Sequence, residues 1–403
     1  MTAPAITLHP VAVALRSIHD EVSGIYLERR AVIEAVLMAV LAKQHAFILG
    51  PPGTGKSEMV REIIGRFDDA EYFESLLSKT RPDAAVLGPY DLPLLKNTGS
   101  FKRKITGFLP TANFAFMDEV GKMSPTLGHD LLAIFNERIL HEVNGKRSAQ
   151  PVPLYSVVTA SNELIVEESD DAAALWDRLL VRTVVDYIQE SGNFAVLLQG
   201  AVAGFTNAAT SHTTVKFADL ADVIDNVVPA IDVPVGALET VLKLRDELRS
   251  AEITPSDRRW RQCVRLLQAS AFFNGRSQVE DDDLHVLRYA LWDGPEQIVP
   301  VERMTLSLSN PVAEKCLGLL DDAEKIAAGI RDRKGQSLEA RASYGTEANG
   351  KLKVLASEIS QLKQDCLSAG RSTTKVDEVS DRITAVRRSV LVDCLDMDPA
   401  SIR

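Results

Sequence analysis

The sequence predicts an α/β protein in which a mainly parallel sheet is followed by two helical regions. Between residues 45 and 190, strand-like apolar runs alternate with helical segments, the pattern of a parallel sheet covered on both faces. The first of these runs ends in a glycine-rich turn. From residue 191 onward the pattern is helical, and three late segments carry a 3-4 apolar repeat.

The composition excludes several classes of protein. The chain has 403 residues, 45% of them hydrophobic, and a net charge of −11, which argues against general binding to nucleic-acid backbones. The four cysteines are scattered without a C-x-x-C pair, as expected of reduced thiols. We expect a cytoplasmic protein with no membrane span, because no secretory leader and no apolar run of about 20 residues is present.

Two helices and then five strands are predicted in the first half of the chain. Residues 11–43 have the spacing of two helices, with a break at Ser23–Tyr26. The predicted strands are Ala46–Leu49, Glu71–Leu76, Asn113–Asp118, Leu154–Ala160 and Leu180–Tyr187.

A phosphate-binding loop is predicted between the first strand and the next helix. The motif G-x-x-x-x-G-K-[ST] is filled by Gly50, Pro51, Pro52, Gly53, Thr54, Gly55, Lys56 and Ser57, and the helix continues from Glu58. Its glycines allow backbone N–H groups to point at phosphate oxygens. We expect Lys56 to neutralise the phosphates and Ser57 to offer its hydroxyl to Mg²⁺.

Two later strands end in polar side chains suited to hydrolysis. Asp118 and Glu119 close an apolar strand, so that Asp118 can hold the metal and Glu119 can activate water as a general base. Asn162 ends the apolar segment that begins at Ser156, and it is placed to orient the attacking water or to touch the γ-phosphate. An ordinary turn or cap asparagine is the alternative for Asn162.

Two segments interrupt the α/β pattern, and both are expected to be projecting hairpins. Residues 92–108 contain the turn signal Asn97-Thr98-Gly99, and residues 139–153 contain Asn144-Gly145. The first also carries Lys102-Arg103-Lys104. These basic residues are either simply solvated or bind an acidic surface of another protein.

The remaining chain is expected to form a helical lid and then a three-helix bundle. Segments Leu238–Leu248, Arg258–Phe273 and Asp281–Trp292 are the clearest lid helices, and Asn310-Pro311 marks a boundary. The three repeats beyond it predict helix-on-helix packing. Their apolar positions are Cys316, Leu319, Ala323, Ile326 and Ile330, then Leu352, Leu355, Ile359, Leu362 and Cys366, then Val376, Val379, Ile383, Val386 and Val390.

The combined motifs resemble a AAA+ ATPase of the MoxR family, with most similarity to its RavA-type branch. They are GPPGTGKS, FAFMDE, VVTASNE, LWDRLLVR and PSDRRWRQCVRLLQASAFFNGR. The resemblance covers residues from about 10 to 300. It implies a P-loop αβα core with a five-stranded parallel sheet over 1–190, an all-α lid over 191–305 and a ring, usually of six subunits. The bundle would then occupy 306–403.

The resemblance also assigns roles residue by residue. Gly50–Ser57 is Walker A, Asp118 and Glu119 are Walker B, and Asn162 is sensor 1. Arg178 matches an arginine finger that enters the site of a neighbouring subunit, with Arg182 as a rival. Arg258 matches sensor 2, with Arg259 and Arg261 as rivals.

The resemblance implies an ATPase that remodels or activates a partner protein, often one with a von Willebrand factor A domain. ATP, ADP and Mg²⁺ would be bound. The chain departs from RavA-type proteins because the first two bundle segments are too close together to carry an inserted domain. A nucleotide-switched binding module with slow hydrolysis and a DNA-acting motor are the alternative functions.

Overall fold

The computed structural model describes residues 9–142, 148–165, 170–203, 212–333, 337–368, 373–395 and 397. The chain divides into two compact units, Met1–Glu302 and Arg303–Arg403. Within the described residues, no helix is long and apolar enough to cross a membrane.

The strands and helices follow the expected alternation. The strands are β1 (Ala46–Leu49), β2 (Phe67–Asp68), β3 (Tyr72–Leu76), β4 (Phe114–Asp118), β5 (Ile139–Glu142), β6 (Ser148–Pro151), β7 (Ser156–Ser161), β8 (Val181–Val184) and β9 (Val215–Lys216). The helices up to residue 203 are α1 (Pro10–Ile25), α2 (Arg30–Leu41), α3 (Lys56–Ile64), α4 (Ala84–Leu87), α5 (Leu92–Thr98), α6 (Pro125–Glu137), α7 (Asp170–Trp176) and α8 (Ser191–Ala203). The later helices are α9 (Phe217–Asp222), α10 (Val228–Ala230), α11 (Val235–Ser250), α12 (Asp257–Phe273), α13 (Ile298–Ser309), α14 (Pro311–Asp332), α15 (Leu338–Ser368) and α16 (Thr374–Ser389).

A five-stranded parallel sheet forms the centre of the first unit, which confirms the predicted fold class. The strand order is β3-β4-β7-β1-β8, and every neighbouring pair is parallel. Because parallel strands point the same way, their carboxyl ends meet at one edge of the sheet. Strand β7 lies between β1 and β4, so the residues that follow these three strands converge there.

The N-terminal helices cover this sheet. Helix α2 packs against β8 and β1 and buries nine of its twelve residues. The chain leaves α1 at Ile25, within the break predicted at Ser23–Tyr26. This position brings the loop between α1 and α2 close to the glycine-rich turn, where Tyr26 approaches Gly55.

The first interrupting segment differs from its predicted hairpin. Residues 92–98 form helix α5, in which the side chain of Asp91 accepts a hydrogen bond from the N–H of Leu94. Gly99 ends the helix in a left-handed conformation, with φ +70°. A single antiparallel bridge from Tyr90 to Arg103 closes the segment. The turn signal thus marks a helix end, because a glycine with positive φ serves both kinds of turn.

The second interrupting segment is a hairpin, as predicted. Strands β5 and β6 are antiparallel, with Leu140 opposite Gln150. Its turn signal, Asn144-Gly145, lies outside the described residues.

Two of the three predicted lid segments are α-helices, and the third is more tightly wound. Helices α11 and α12 span the first two, whereas Asp281–Tyr289 is a 3₁₀ helix. Ser256 caps α12 by accepting a hydrogen bond from the N–H of Arg259.

The second unit contains the three helices α14, α15 and α16. All fifteen apolar repeat positions are buried in one cluster, together with Ala348 and Cys394. The 3-4 spacing therefore placed the apolar faces correctly.

Replacing Leu352 tests the packing of this cluster. Leu352 is fully buried, so Leu352→Ala should lower the free energy of unfolding of this unit by about 2–5 kcal/mol. Val354 on the same helix is 57% exposed, and Val354→Ala should change it by less than about 0.5 kcal/mol. Urea unfolding followed by circular dichroism measures both; equal losses would contradict the assigned packing.

Candidate nucleotide-binding site

The turn between β1 and α3 has a backbone that requires its glycines. Gly53 and Gly55 adopt positive φ, +79° and +77°. A Cβ on Gly50 would lie 2.2 Å from the carbonyl oxygen of Val185, so only glycine fits there. Helix α3 begins at Lys56, and its N-terminal N–H groups therefore face the turn.

A cavity of about 320 Å³ opens over this turn. The residues that line it are Pro52, Gly53, Thr54, Gly55, Lys56, Ser57, Glu58, Asp118, Glu119 and Asn162. The structure thus brings together the glycine-rich turn and the polar ends of β4 and β7. Gly50 and Pro51 contribute through their carbonyl groups instead, which accept hydrogen bonds from Lys56.

Lys56, Asn162 and Glu119 are joined by side-chain hydrogen bonds. The ammonium group of Lys56 donates to the carbonyl oxygens of Gly50 at 2.6 Å and Pro51 at 2.9 Å, and to Asn162 Oδ1 at 3.1 Å. Asn162 Nδ2 then donates to Glu119 Oε1 at 2.8 Å. The amide of Asn162 therefore links the cation of the turn to the carboxylate at the end of β4.

The backbone is unusual at the second of the two adjacent carboxylates. Glu119 has φ +55° and ψ 43°, a left-handed conformation that is uncommon for a residue with a side chain. Its N–H donates to Asp118 Oδ1 at 2.9 Å. The other carboxylate oxygen of Glu119 lies 3.1 Å from Lys122 Nζ. Sequence reasoning missed this ion pair.

Burial governs the electrostatics of the cavity. Burial raises the pKa of Asp118, although the N–H of Glu119 and the charge of Lys56 oppose the shift. Burial lowers the pKa of Lys56, against the charges of Asp118 and Glu119. A hydroxyl and a half-buried carboxylate are ligands that suit Mg²⁺, and a bound cation would offset the cost of ionising Asp118. Ser57 and Asp118 therefore fit a magnesium ion.

A second cavity of about 830 Å³ adjoins the glycine-rich turn and was not predicted from the sequence. It shares Gly53, Thr54, Gly55 and Glu58 with the smaller cavity. Its other walls are mainly apolar, and they come from the loop after α1, the segment after β8 and helix α8. They include Tyr26, Leu27, Tyr187, Ile188, Phe194 and Leu197.

Hydrogen bonds connect two of these walls. Arg29 donates to the carbonyl oxygen of Asp186. The carboxylate of Glu28 accepts from the N–H groups of Gln189 at 2.8 Å and Glu190 at 3.0 Å. The loop after α1 and the start of α8 are therefore held together beside the turn.

Arg178 and Arg258 lie next to each other and do not line the 320 Å³ cavity. Arg258 is 3.8 Å from Asp177, the residue before Arg178. Burial and the charge of Arg258 both lower the pKa of Arg178, while Asp177 raises it. Arg259 also lies 3.8 Å from Asp177, so more than one cation surrounds this carboxylate.

Two of the rival arginines have structural contacts. Arg182 is fully buried and donates to the carbonyl oxygens of Trp176 at 2.7 Å and Leu179 at 2.9 Å. Arg182 and Arg259 both pair with Asp293, each at 2.8 Å. Burial alone would raise the pKa of Asp293, but these two cations lower it to about 2.

The third rival, Arg261, is exposed and lines a different cavity. That cavity, about 380 Å³, also includes Arg258 and Arg265. Within the described residues, no group of three or more His, Cys, Asp or Glu side chains could hold a metal ion by itself.

Comparisons with known proteins agree with this geometry. Residues 13–225 match a family model described as the MoxR domain in the MoxR-vWA-beta-propeller ternary systems, and residues 237–305 match a AAA lid domain. Two uncharacterised proteins of Methanocaldococcus jannaschii are each 31% identical to the chain. One alignment covers 91% of this chain and 93% of the relative, and the other covers 93% and 98%.

One solved structure shows the same fold. It is a candidate ATPase from Cytophaga hutchinsonii, with a TM-score of 0.54 and 16% identity over 73% of this chain and 93% of that one. The MoxR model alone spans more than half of the residues. The chain therefore belongs to the MoxR family of AAA+ ATPases.

Proposed function

We propose that this protein hydrolyses ATP at sites shared between the subunits of a homo-oligomeric ring, six in number, and uses turnover to remodel a partner protein. The observation that carries the proposal is the hydrogen-bonded group of Lys56, Asn162 and Glu119 within one cavity at the glycine-rich turn. A cation, an amide and a carboxylate so arranged can bind a phosphate, orient a water molecule and accept its proton.

Each residue of the cavity has a proposed role. The N–H groups of Gly53–Ser57, at the start of α3, surround the phosphates, and Lys56 neutralises their charge. Ser57 and Asp118 would hold Mg²⁺, which would supply charge stabilisation for the phosphates. Glu119 accepts the proton of the attacking water, and Asn162 orients that water.

The larger cavity is suited to the base and sugar of the nucleotide. Its aromatic and aliphatic walls, including Tyr26, Tyr187 and Phe194, offer flat apolar contacts next to the phosphate-binding turn. One nucleotide can therefore occupy both cavities, with its phosphates at Lys56 and its base near α8.

Arg178 is proposed to act on the nucleotide of a neighbouring subunit, and Arg258 is proposed to reach from the lid toward the phosphates. Neither lines the phosphate cavity of its own chain, and both flank Asp177. Because Arg182 has buried hydrogen-bond partners, we propose Arg178 as the finger. Because Arg259 pairs with Asp293, we propose Arg258 as sensor 2, with Arg261 as its remaining rival. Because an arginine finger contributes about 10³–10⁵ in rate where measured, hydrolysis would depend on assembly.

The proposed partner carries a von Willebrand factor A domain. The matched family model is named for systems that combine MoxR, vWA and beta-propeller components. We further propose that the protein is RavA-like and acts in the cytoplasm. We do not expect it to bind nucleic acid. The expected division of the chain into a core (1–190), a lid (191–305) and a bundle (306–403) is retained in this proposal.

Replacing Glu119 tests the catalytic assignment. Glu119→Gln removes the proton acceptor but keeps the shape of the side chain, so phosphate release should fall at least about 100-fold. Nucleotide affinity, measured with a fluorescent ATP analogue, should remain within about threefold of the unmodified value. Unchanged phosphate release would exclude Glu119 as the general base.

Mixing two inactive variants tests whether the site is shared. Arg178→Ala and Glu119→Gln should each lose turnover alone, the first because its neighbour lacks a finger. In mixed assemblies, an Arg178→Ala subunit keeps Glu119 and can receive Arg178 from a Glu119→Gln neighbour. Phosphate release should therefore reappear on mixing. A second mixture combines Arg178→Ala with a double variant that carries both Asp118→Ala and Glu119→Gln. If phosphate release does not recover in either mixture, the site is not shared.

Replacing Asp118 tests the metal ligand. The folded-state pKa of Asp118 is raised, so its ionised form lowers stability once the pH exceeds the unfolded value of 3.8. Without Mg²⁺, Asp118→Asn should raise Tm at pH 7, and this difference should shrink as the pH falls toward 4. Mg²⁺-dependent phosphate release should be lost. A lower Tm at pH 7 would contradict the assigned burial cost.

A further inference from the structure

A chain of four side chains crosses the phosphate cavity and ends outside the sequence motifs. Lys56 donates to Asn162, Asn162 donates to Glu119, and Glu119 pairs with Lys122. The first three belong to the motifs recognised in the sequence. Lys122 does not, yet it holds the carboxylate oxygen of Glu119 that Asn162 leaves free.

The position of Lys122 follows from the backbone. Glu119 is left-handed and precedes a 3₁₀ turn over Val120–Lys122, in which the N–H of Lys122 donates to the carbonyl oxygen of Glu119 at 2.8 Å. This turn sets the two side chains three residues apart on one side. Glu119 is 18% exposed and Lys122 is 58% exposed, so the pair lies at the rim of the cavity.

The hydrogen bonds of Lys56 make this arrangement incompatible with full phosphate contact. An ammonium group has three N–H donors. Lys56 directs them at the carbonyl oxygens of Gly50 and Pro51 and at Asn162 Oδ1. It must release at least one acceptor before it can donate to a phosphate oxygen.

Loss of the contact with Lys56 changes what holds Glu119. Without Lys56, the amide of Asn162 is free to turn, and Glu119 Oε1 then loses its donor. Among the residues that the structure describes, the pair with Lys122 is then the remaining side-chain contact of the Glu119 carboxylate. It is partly exposed and therefore weak and easily reversed.

We propose that Lys122 is a positioning residue that restrains Glu119 against Asn162 while Lys56 faces the loop carbonyls, and that phosphate contact by Lys56 loosens this restraint. The proposal rests on the function proposed above, in which Glu119 accepts a proton from water. Lys122 thereby sets how readily Glu119 leaves its contact with Asn162. Phosphate contact by Lys56 therefore makes Glu119 more available to accept a proton from water.

Steady-state phosphate release by the full chain with MgATP tests the proposal. Lys122→Met removes the charge but keeps the length of the side chain, and kcat should rise about two- to fivefold with KM unchanged. Lys122→Arg keeps the charge and should behave as the unmodified protein. Lys325 forms a comparable exposed pair with Asp322, three residues apart at 2.9 Å. Lys325→Met is therefore the matched control and should change neither constant.

Thermal unfolding supplies a readout that does not depend on turnover. Lys122→Met, Glu119→Gln and the double variant form a double-mutant cycle. Without nucleotide, the effects on Tm should be non-additive by about 1–2 °C, as expected for a weak pair. With saturating Mg²⁺ and the non-hydrolysable analogue AMP-PNP, this non-additivity should become smaller but persist, because the pair with Lys122 remains after Lys56 turns to the phosphate.

The outcomes separate the two proposals. A kcat that falls or stays unchanged in Lys122→Met, or equal coupling with and without AMP-PNP, would overturn the role of Lys122. If Glu119→Gln is inactive in that case, the proposed function still stands. Absence of turnover in the unmodified protein would remove both. A raised kcat with an unaltered Lys122→Arg variant and a weaker coupling with AMP-PNP support the restraint.

Discussion

The placement of β7 between β1 and β4 is the constraint on which the site depends. It sets the end of β7 between the glycine-rich turn after β1 and the carboxylates after β4. Asn162 is the first residue beyond β7, and its two amide atoms can therefore contact Lys56 on one side and Glu119 on the other. The polar group of the cavity follows from strand order, because parallel strands deliver their last residues to one edge.

The sequence was sufficient wherever a function depends on one local segment. The turn at Gly50–Ser57 could be recognised because its glycines and flanking apolar runs are contiguous. Asp118 and Asn162 could be recognised because each ends an apolar strand. The bundle could be predicted from a repeat that buries one face of each helix, and its fifteen positions are indeed buried. In each case one short-range pattern determines the structure.

The remaining features depend on contacts between distant segments or on a backbone choice. The ion pair between Lys122 and Glu119 requires a left-handed backbone at Glu119, which the adjacent residues in the sequence do not predict. The larger cavity draws its walls from segments more than 150 residues apart, such as Tyr26 and Tyr187. Arg178 and Arg182 are near neighbours of the same type, and burial together with an ion pair to the distant Asp293 distinguishes Arg182. Gly99 suits a hairpin turn and a helix end equally, and the cap at Asp91 decides between them.

The close approach of Gly50 to Val185 has a mechanical consequence. Because that spacing leaves no room for even a methyl group, the backbones of the glycine-rich turn and of Val185, just after β8, are in direct contact. Tyr187 follows two residues later, and its hydroxyl donates to the carbonyl oxygen of Pro52 at 3.2 Å. The turn and the wall of the larger cavity are thus joined by two direct contacts. A displacement of the turn would therefore move the wall of the larger cavity as well.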